Sequence, residues 1–302
     1  MSEKKILFGT AGVPNSTPKK NNPIEGVKQI HELGLDCMQL EFAHGVRMKE
    51  EISSGLRRIS YQLGVPLTSH GPYYINLNAR EQDKIDSSVE RIIQTAKISD
   101  LCGAESMTFH AAFYMKDSPF DVFDLVEKSL SVIEERLNRL DIEIELRPEL
   151  TGKTSQFGSL DELLQLTKQV SSCHPCLDFS HLFARTGEYN SYDEFCVILD
   201  RLKKELGEES TNNMHIHISG ISSNSKGDLK HLNLKESQFK REEADLEKIK
   251  QLQQVQNFEV GTEFGLISNE QNDIKLESSY SCLLYTSPSP RDQRGTRMPS
   301  SA

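Results

Sequence analysis

Histidine and carboxylate side chains recur at the ends of short apolar or β-branched runs in this sequence. Five histidines and three carboxylates stand at such ends or in the loop after one of them: His70, His110, Glu149, Asp178, His181, His215, His231 and Glu263. Clustered imidazoles and carboxylates would repel one another or stay unsatisfied without a cation among them. A metal site is therefore the simplest explanation, and the share of imidazoles favours zinc over magnesium or manganese.

These side chains come together only if the fold gathers the ends of distant strands. The sequence predicts strands over 6–10, 37–42, 66–70, 106–110, 142–149, 176–181, 214–219 and 258–263. Amphipathic helices are predicted over 24–33, 83–101, 120–140, 160–170, 192–206 and 246–252, with a shortened last helix over about 269–280. Eight strand–helix alternations favour an α/β fold, a single-domain (β/α)8 TIM barrel, whose active site lies where the strands end.

Composition and charge narrow the classes of function. The chain has 302 residues, of which 36% are apolar and 26% charged, with a net charge of -10. This charge argues against nonspecific adhesion to a polyanion. We expect neither a membrane span nor a secretory signal, and therefore a cytoplasmic protein, because apolar runs of sufficient length are missing from the sequence. Six cysteines are too few for a disulfide framework in a chain this long, so we expect free thiols.

Several local motifs carry a resemblance to a known family. They are SHGPYYINL at 69–77, FHAAFY at 109–114, LRPELTGKTSQFG at 146–158, CLDFSHLFARTG at 176–187, MHIHISG at 214–220 and KHLNL at 230–234. Together they resemble the endonuclease IV family of apurinic/apyrimidinic endonucleases over roughly residues 6–280. The resemblance implies a zinc-dependent barrel that hydrolyses the DNA phosphodiester 5′ to an abasic site in base excision repair. Double-stranded DNA with abasic sites would be its partner, and we expect a monomer.

The same resemblance implies a set of metal ligands. One zinc would be held by His70, His110 and Glu149, and Glu149 would bridge to a second zinc held also by Asp178, His215 and Glu263. A third zinc would take His181 and His231. The family places an aspartate two residues before that last histidine, where this chain has Leu229, so Asp228 or His217 is left to complete the third site. The sequence is therefore compatible with either two or three zinc ions per chain.

Further roles follow from the resemblance. Glu149 would be the catalytic residue that orients the nucleophile. Tyr73 and Tyr74 align with loop residues that family members insert into the minor groove, although surface packing is their alternative role. Lys153 and Arg185 lie in motif segments and are the expected phosphate contacts, where each would add salt dependence but no sequence specificity.

Two other classes of function fit the same barrel. Sugar isomerases and epimerases also carry Glu, Asp and His at the strand ends and use a divalent metal, so the fold does not exclude them. Five histidines disfavour this alternative, because such sites take mainly oxygen ligands. A metal-stabilised binding barrel without catalysis is the third class. Metal stoichiometry separates the three.

The last 21 residues differ from the rest of the chain. Residues 282–302 read CLLYTSPSPRDQRGTRMPSSA and show no helical or strand period. They resemble a translated sequencing adapter, so we interpret them as read-through appended to a truncated gene. The barrel would then occupy residues 1–281, and we expect 282–302 to be a disordered, non-native tail.

Overall fold

The computed structural model describes residues 6–19, 22–232 and 282–286, in which strands alternate with helices. In chain order the elements are β1 (Ile6–Ala11), α1 (Pro23–Glu32), β2 (Cys37–Glu41), α2 (Glu50–Leu63), β3 (Leu67–His70), α3 (Gln82–Cys102), β4 (Ala104–Phe109), α4 (Pro119–Arg139), β5 (Glu145–Pro148), α5 (Leu160–Gln169), β6 (Cys176–Asp178), α6 (Phe179–Thr186), α7 (Tyr192–Leu206), a 3-10 helix (Glu208–Asn212), β7 (His215–Ile218), β8 (Gly220–Asn224), β9 (Gly227–Leu232) and β10 (Cys282–Thr286).

The main sheet closes on itself. Strands β1 to β5 lie side by side in chain order and are parallel, as are β6 and β7. Bridges from Leu146 to Cys173 and from Glu149 to Cys176 join the β5 segment to the β6 segment. Strand β10 pairs with both β7 and β1 and completes the circle. The predicted α/β barrel is confirmed.

The eighth position in the barrel is filled by β10, which runs antiparallel to both neighbours. Here the structure differs from the expected tail without regular structure. The segment CLLYT is apolar enough to form a strand, and the edges of β1 and β7 offer backbone N–H and C=O groups that such a strand pairs. The origin of residues 282–302 as adapter read-through stays a prediction, and the strand predicted over 258–263 lies outside the described residues.

Most helices begin and end where the sequence predicts. Helices α1, α3, α4, α5 and α7 agree with the predicted bounds to within one residue at each end. The side chain of Asn22 caps α1, and Ser159 forms a reciprocal capping box with Glu162 at the start of α5. Helices α2 and α6 and the β8–β9 hairpin were not predicted. Within the described residues, no helix combines the length and apolar character needed to cross a bilayer.

Strand alternation separates the chemistry from the core. In β7, His215 and His217 lie on one face and contact other polar groups inside the barrel, while Ile216 and Ile218 lie on the other face and pack in an apolar cluster with α5, α6 and α7. Two further apolar clusters fill the space between the remaining strands and helices. The outer face of each strand therefore stabilises the fold, and the inner face is free to carry polar side chains.

A substitution at Gly9 tests how closely β1 and β2 approach each other. A Cβ at Gly9 would lie 1.9 Å from the carbonyl oxygen of Cys37, its register partner. We expect Gly9→Ala to lower the free energy of unfolding by about 2–3 kcal/mol or more, because the strands must separate. Gly55 is the matched control, since its Cβ would meet only ordinary contact at 3.4 Å inside α2. Gly55→Ala should be neutral or stabilising by up to about 1 kcal/mol in urea unfolding of the full chain. Equal stability of the two variants would contradict this packing.

Candidate metal centre

Glu149 lies at the centre of the rim formed by the strand ends. It follows β5 and is buried. Its Oε2 lies 3.1 Å from Nε2 of His70, which ends β3, and 3.0 Å from Nε2 of His110, which follows β4. Its Oε1 lies 2.8 Å from Nδ1 of His217 in β7. Four strands thus deliver one carboxylate and three imidazoles to the same point.

The imidazoles hold this carboxylate in its charged form. Burial alone would raise the pKa of Glu149, but the nearby His217 and His110 more than offset it, so the pKa lies well below its ordinary value. Burial likewise acts to lower the pKa of His70, yet the hydrogen bond to Glu149 and the charge of Glu41 leave it raised. A cation among these groups would replace the protons that now balance the carboxylate.

The structure brings together the first predicted ligand set. Ligand atoms of His70, His110 and Glu149 all lie within 4.8 Å of one another. Nδ1 of His70 is hydrogen-bonded at 2.7 Å to the carbonyl oxygen of Gly71, which fixes the ring with Nε2 towards Glu149. Such a second contact is what orients histidine ligands in metal sites. These three residues are therefore compatible with metal binding.

The second cluster differs from the expected set in one histidine. Glu149, Asp178 and His217 have ligand atoms within 4.8 Å of one another, so His217 takes the position expected for His215. The strand register explains the difference, because Asp178 pairs with His217, whereas His215 pairs with Cys176. Two residues along a strand correspond to about 6.6 Å, which places His215 one layer below the rim.

His215 has a different environment from His217. Its Nδ1 lies 3.4 Å from Oγ of Ser106, and its Nε2 lies 3.2 Å from Nε2 of His217. Burial and the neighbouring His217 hold the pKa of His215 well below its ordinary value. For His217, burial also acts to lower the pKa, but Cys176 and Glu149 raise it well above the ordinary value. The two histidines of the HIHIS segment thus have opposite electrostatic roles.

His181 lies in a helix and not at a strand end. The strand predicted over 176–181 stops at Asp178, whose side chain accepts a hydrogen bond from the His181 backbone N–H at 2.8 Å and so caps α6. The cap turns the His181 ring towards the rim, where its Nδ1 lies 3.4 Å from Oδ2 of Asp178. Its ring centroid lies 5.3 Å from that of His231, which β9 supplies. The structure thus pairs the two histidines expected at the third site.

Asp228 stands beside this pair. Burial acts to lower the pKa of both histidines; at His181 it is outweighed by Asp178, Glu149 and, to a smaller degree, Asp228. At His231 the charge of Asp228 opposes the lowering of the pKa that burial and His181 cause. Its Oδ2 lies 3.7 Å from Nζ of Lys153. The alternative ligand Asp228 is therefore close to the site, whereas the alternative His217 belongs to the second cluster. Glu263, expected at the second site, lies outside the described residues.

The two tyrosines lie at the mouth of the barrel. Tyr73 and Tyr74 are 57% and 61% exposed. The Tyr73 ring meets the His70 ring edge-on, with centroids 5.7 Å apart, and lies 6.4 Å from the His110 ring. Tyr73 is therefore exposed beside the first ligand set, and Tyr74 is exposed next to it in the chain.

The two expected phosphate contacts differ. Lys153 is 45% exposed at the rim and pairs only loosely with Asp228. Arg185 donates hydrogen bonds to three backbone carbonyls, those of Thr151, Lys153 and Gln156, and its Nη2 lies 3.4 Å from the hydroxyl of Tyr114. Its donors hold the loop after β5, so the geometry favours a structural role for Arg185 over the expected DNA contact.

Two further polar side chains were missed from the sequence. Glu41 ends β2 and interacts with His70, His217 and Glu149. Although Glu41 is exposed at the mouth, the protein around it raises its pKa, chiefly through desolvation. Gln39 lies two residues earlier and contacts both β7 histidines. The predicted strand over 37–42 already placed Glu41 at a strand end, which was the available signal.

Comparison with known proteins identifies the family. Residues 27–251 match the xylose isomerase-like TIM barrel family, and the chain belongs to it. An uncharacterized protein of Methanocaldococcus jannaschii, MJ0133, is 40% identical over 78% of this chain and 84% of its own length. A probable endonuclease 4 of Aster yellows witches'-broom phytoplasma is 28% identical, and the match covers about half of each protein, 54% of this chain and 56% of the relative. The resemblance to endonuclease IV is thereby confirmed.

Solved structures agree on the fold. Endonuclease IV from Thermus thermophilus has a TM-score of 0.59 at 21% identity, covering 81% of this chain and 87% of its own. The 3-keto-D-glucoside 4-epimerase from E. coli has a TM-score of 0.53 at 14% identity, covering 82% and 88%. At these identities both show the barrel alone.

The raised pKa of His217 predicts how the stability of the metal-free chain depends on pH. A raised pKa contributes stability that is present below the unfolded value of about 6.5 and is lost as pH rises through the folded value. The difference in free energy of unfolding between wild type and His217→Gln, measured by urea titration with chelator, should therefore shrink as pH rises from 6.5 upwards. A difference that grows with pH would contradict the ion pair with Glu149.

Proposed function

We propose that this chain is a metal-dependent deoxyribonuclease that hydrolyses the DNA phosphodiester 5′ to an abasic site. The observation that carries the proposal is the position of Glu149. One of its oxygens lies between His70 and His110, and the other contacts His217, so a single carboxylate joins two clusters of ligands. The similarity to a probable endonuclease 4 supports the choice of DNA as substrate.

The residues present fit two or three zinc ions. One would be held by His70, His110 and Glu149, a second by Glu149, Asp178 and His217, and a third by His181 and His231 with Asp228 beside them. A set of imidazoles with a few carboxylates is the donor chemistry that zinc prefers. When bound, the ions would activate a water molecule and neutralise charge on the phosphate and the leaving oxygen.

The chain itself orients the reacting groups. Glu149 bridges the clusters and is held by three imidazoles, so its position relative to a phosphate on the rim is fixed. Asp178 is fixed as well, because it caps α6 while facing the rim. Tyr73 and Tyr74, exposed in the loop after β3, would enter the minor groove and hold the flipped abasic nucleotide towards Glu149. Lys153 would contact a phosphate.

Glu149→Gln tests the catalytic assignment. The change keeps the shape but removes the charge shared by both clusters, so incision of a duplex with one abasic site should fall by about 10³-fold or more. Binding of the same duplex, measured by fluorescence anisotropy, should remain measurable. Glu143→Gln is the matched control, because Glu143 is exposed on the segment that leads into β5, and it should leave incision unchanged. Retained turnover in Glu149→Gln would refute the role.

Tyr73→Ala tests the minor-groove contact. Its affinity for an abasic duplex should fall by about tenfold more than its affinity for an intact duplex, because an aromatic wedge enters most easily where no base has to be unstacked. Tyr61→Ala removes a tyrosine that is 78% exposed on α2 and should change neither affinity. An equal loss on both duplexes would make Tyr73 a packing residue.

A sugar epimerase is the second candidate, and Glu41 is the observation that favours it. Glu41 and Glu149 interact at the same mouth, and removal of a carbon-bound proton takes a general base such as a carboxylate. Conversion of ketoses by the manganese-loaded chain, with no cleavage of abasic DNA, would favour this candidate over the nuclease. Incision without any sugar conversion would exclude it.

A further inference from the structure

We propose that Gln39 is a positioning residue that sets which ring nitrogen of His217 faces the metal. The inference rests on the proposed function, in which His217 is a ligand together with Glu149 and Asp178. Gln39 and the neighbouring His215 contact the His217 ring from below the rim and would hold its orientation. Neither residue belongs to the set that would touch the substrate.

The side chains involved form a small buried group below the rim. Gln39 is 1% exposed, His215 0% and His217 3%. Nε2 of Gln39 lies 3.0 Å from Nε2 of His217 and 3.2 Å from Nε2 of His215, and the two imidazole nitrogens are 3.2 Å apart. The three Nε2 atoms therefore form a triangle. Whether one of them donates or accepts a hydrogen bond limits what the other two can do.

The opposite side of the His217 ring faces the rim. Its Nδ1 lies 2.8 Å from Oε1 of Glu149, while its Nε2 points into the triangle. A metal that takes both Glu149 and His217 would therefore bind Nδ1. The remaining ring proton is then on Nε2, and a histidine ligand needs an acceptor for that proton.

The amide of Gln39 matches both states of the ring. When the His217 ring is neutral, the NH2 group of Gln39 can donate to both Nε2 atoms, and His217 then carries its proton on Nδ1 and donates to Glu149. Rotation of the amide by 180° brings Oε1 to the same position, where it accepts from the Nε2–H of His217. Oε1 is buried and, among the described residues, has no hydrogen-bond partner in its present position. The rotated amide therefore suits the metal-bound ring.

His215 fits the same scheme without being a ligand. Its Nε2 can donate to the rotated amide oxygen while its Nδ1 accepts from the hydroxyl of Ser106, 3.4 Å away. The role requires an acceptor at position 39 once metal is bound. A methionine there removes it, and a glutamate keeps it.

The experiment measures zinc affinity of the full chain by competition with a chromogenic chelator. Gln39→Met should weaken one zinc site by about 10–100-fold, the usual cost of removing such a partner, and Gln39→Glu should restore most of the affinity. Thr68→Val is the matched control, because Thr68 is buried beside Gln39 in the sheet register and should leave the affinity unchanged. Histidine ¹⁵N NMR of the zinc-loaded wild type should show His217 bound through Nδ1 and protonated on Nε2.

Three results would overturn the proposal. The first is a zinc affinity of Gln39→Met within about twofold of wild type at every site. The second is coordination of His217 through Nε2, which the NMR of the wild type reveals even where the variant does not fold. The third is a thiolate charge-transfer band in the cobalt-loaded chain that Cys176→Ser abolishes, because it would place the metal with Cys176 and His215, the other cluster around His217.

The readouts separate this inference from the proposed function. Zinc affinity and NMR do not depend on DNA. A chain that binds zinc in a Gln39-dependent way but leaves abasic DNA intact would keep this inference and refute the nuclease. A chain that incises DNA with affinity independent of position 39 would do the reverse.

Discussion

The ionised carboxylate of Glu149, buried among imidazoles, is the constraint on which the rest of the site depends. An unpaired charge in that position would cost several kcal/mol, so the fold must bring cationic or metal partners to it. His70, His110 and His217 arrive from three different strands, which only a closed sheet places around one point. The barrel and the candidate site are therefore one arrangement, in which the outer strand faces stabilise the fold and the inner faces supply ligands.

The elements outside the regular barrel complete the rim. Helix α6 follows β6 without a loop because Asp178 both ends the strand and caps the helix, and this turn aims His181 at the site. The β8–β9 hairpin contributes His231 and Asp228, and Gly227 lets it approach the loop after β5, since a Cβ there would lie 2.2 Å from the carbonyl oxygen of Gly152. Arg185 fastens the same loop from α6. The cap of α6, the close approach at Gly227 and the hydrogen bonds of Arg185 thus fix the positions of histidines that are far apart in sequence.

Much of this could be predicted from the sequence. Apolar runs and helical periods placed five helices and four strands to within a residue at each end, and strand-end histidines and carboxylates indicated the rim. The choice between His215 and His217 could not be made from alternation, because both lie on the same strand face. The pairing of Asp178 with His217 is what brings His217 into the cluster with Glu149 and Asp178. The hydrogen bonds of Arg185 could be recognised only from the conformation of the loop after β5. Helix α6 was missed because its apolar FSHLF start continues the β6 pattern.

In the proposed function, Glu149 joins metal ions that cleave DNA beside an abasic site. The most direct measurement is elemental analysis of the purified chain, run together with cleavage of a duplex that carries one abasic site before and after chelation. We expect two or three zinc ions per chain and incision 5′ to the lesion that chelation abolishes and zinc restores. A zinc-loaded chain that leaves the abasic duplex intact would contradict it.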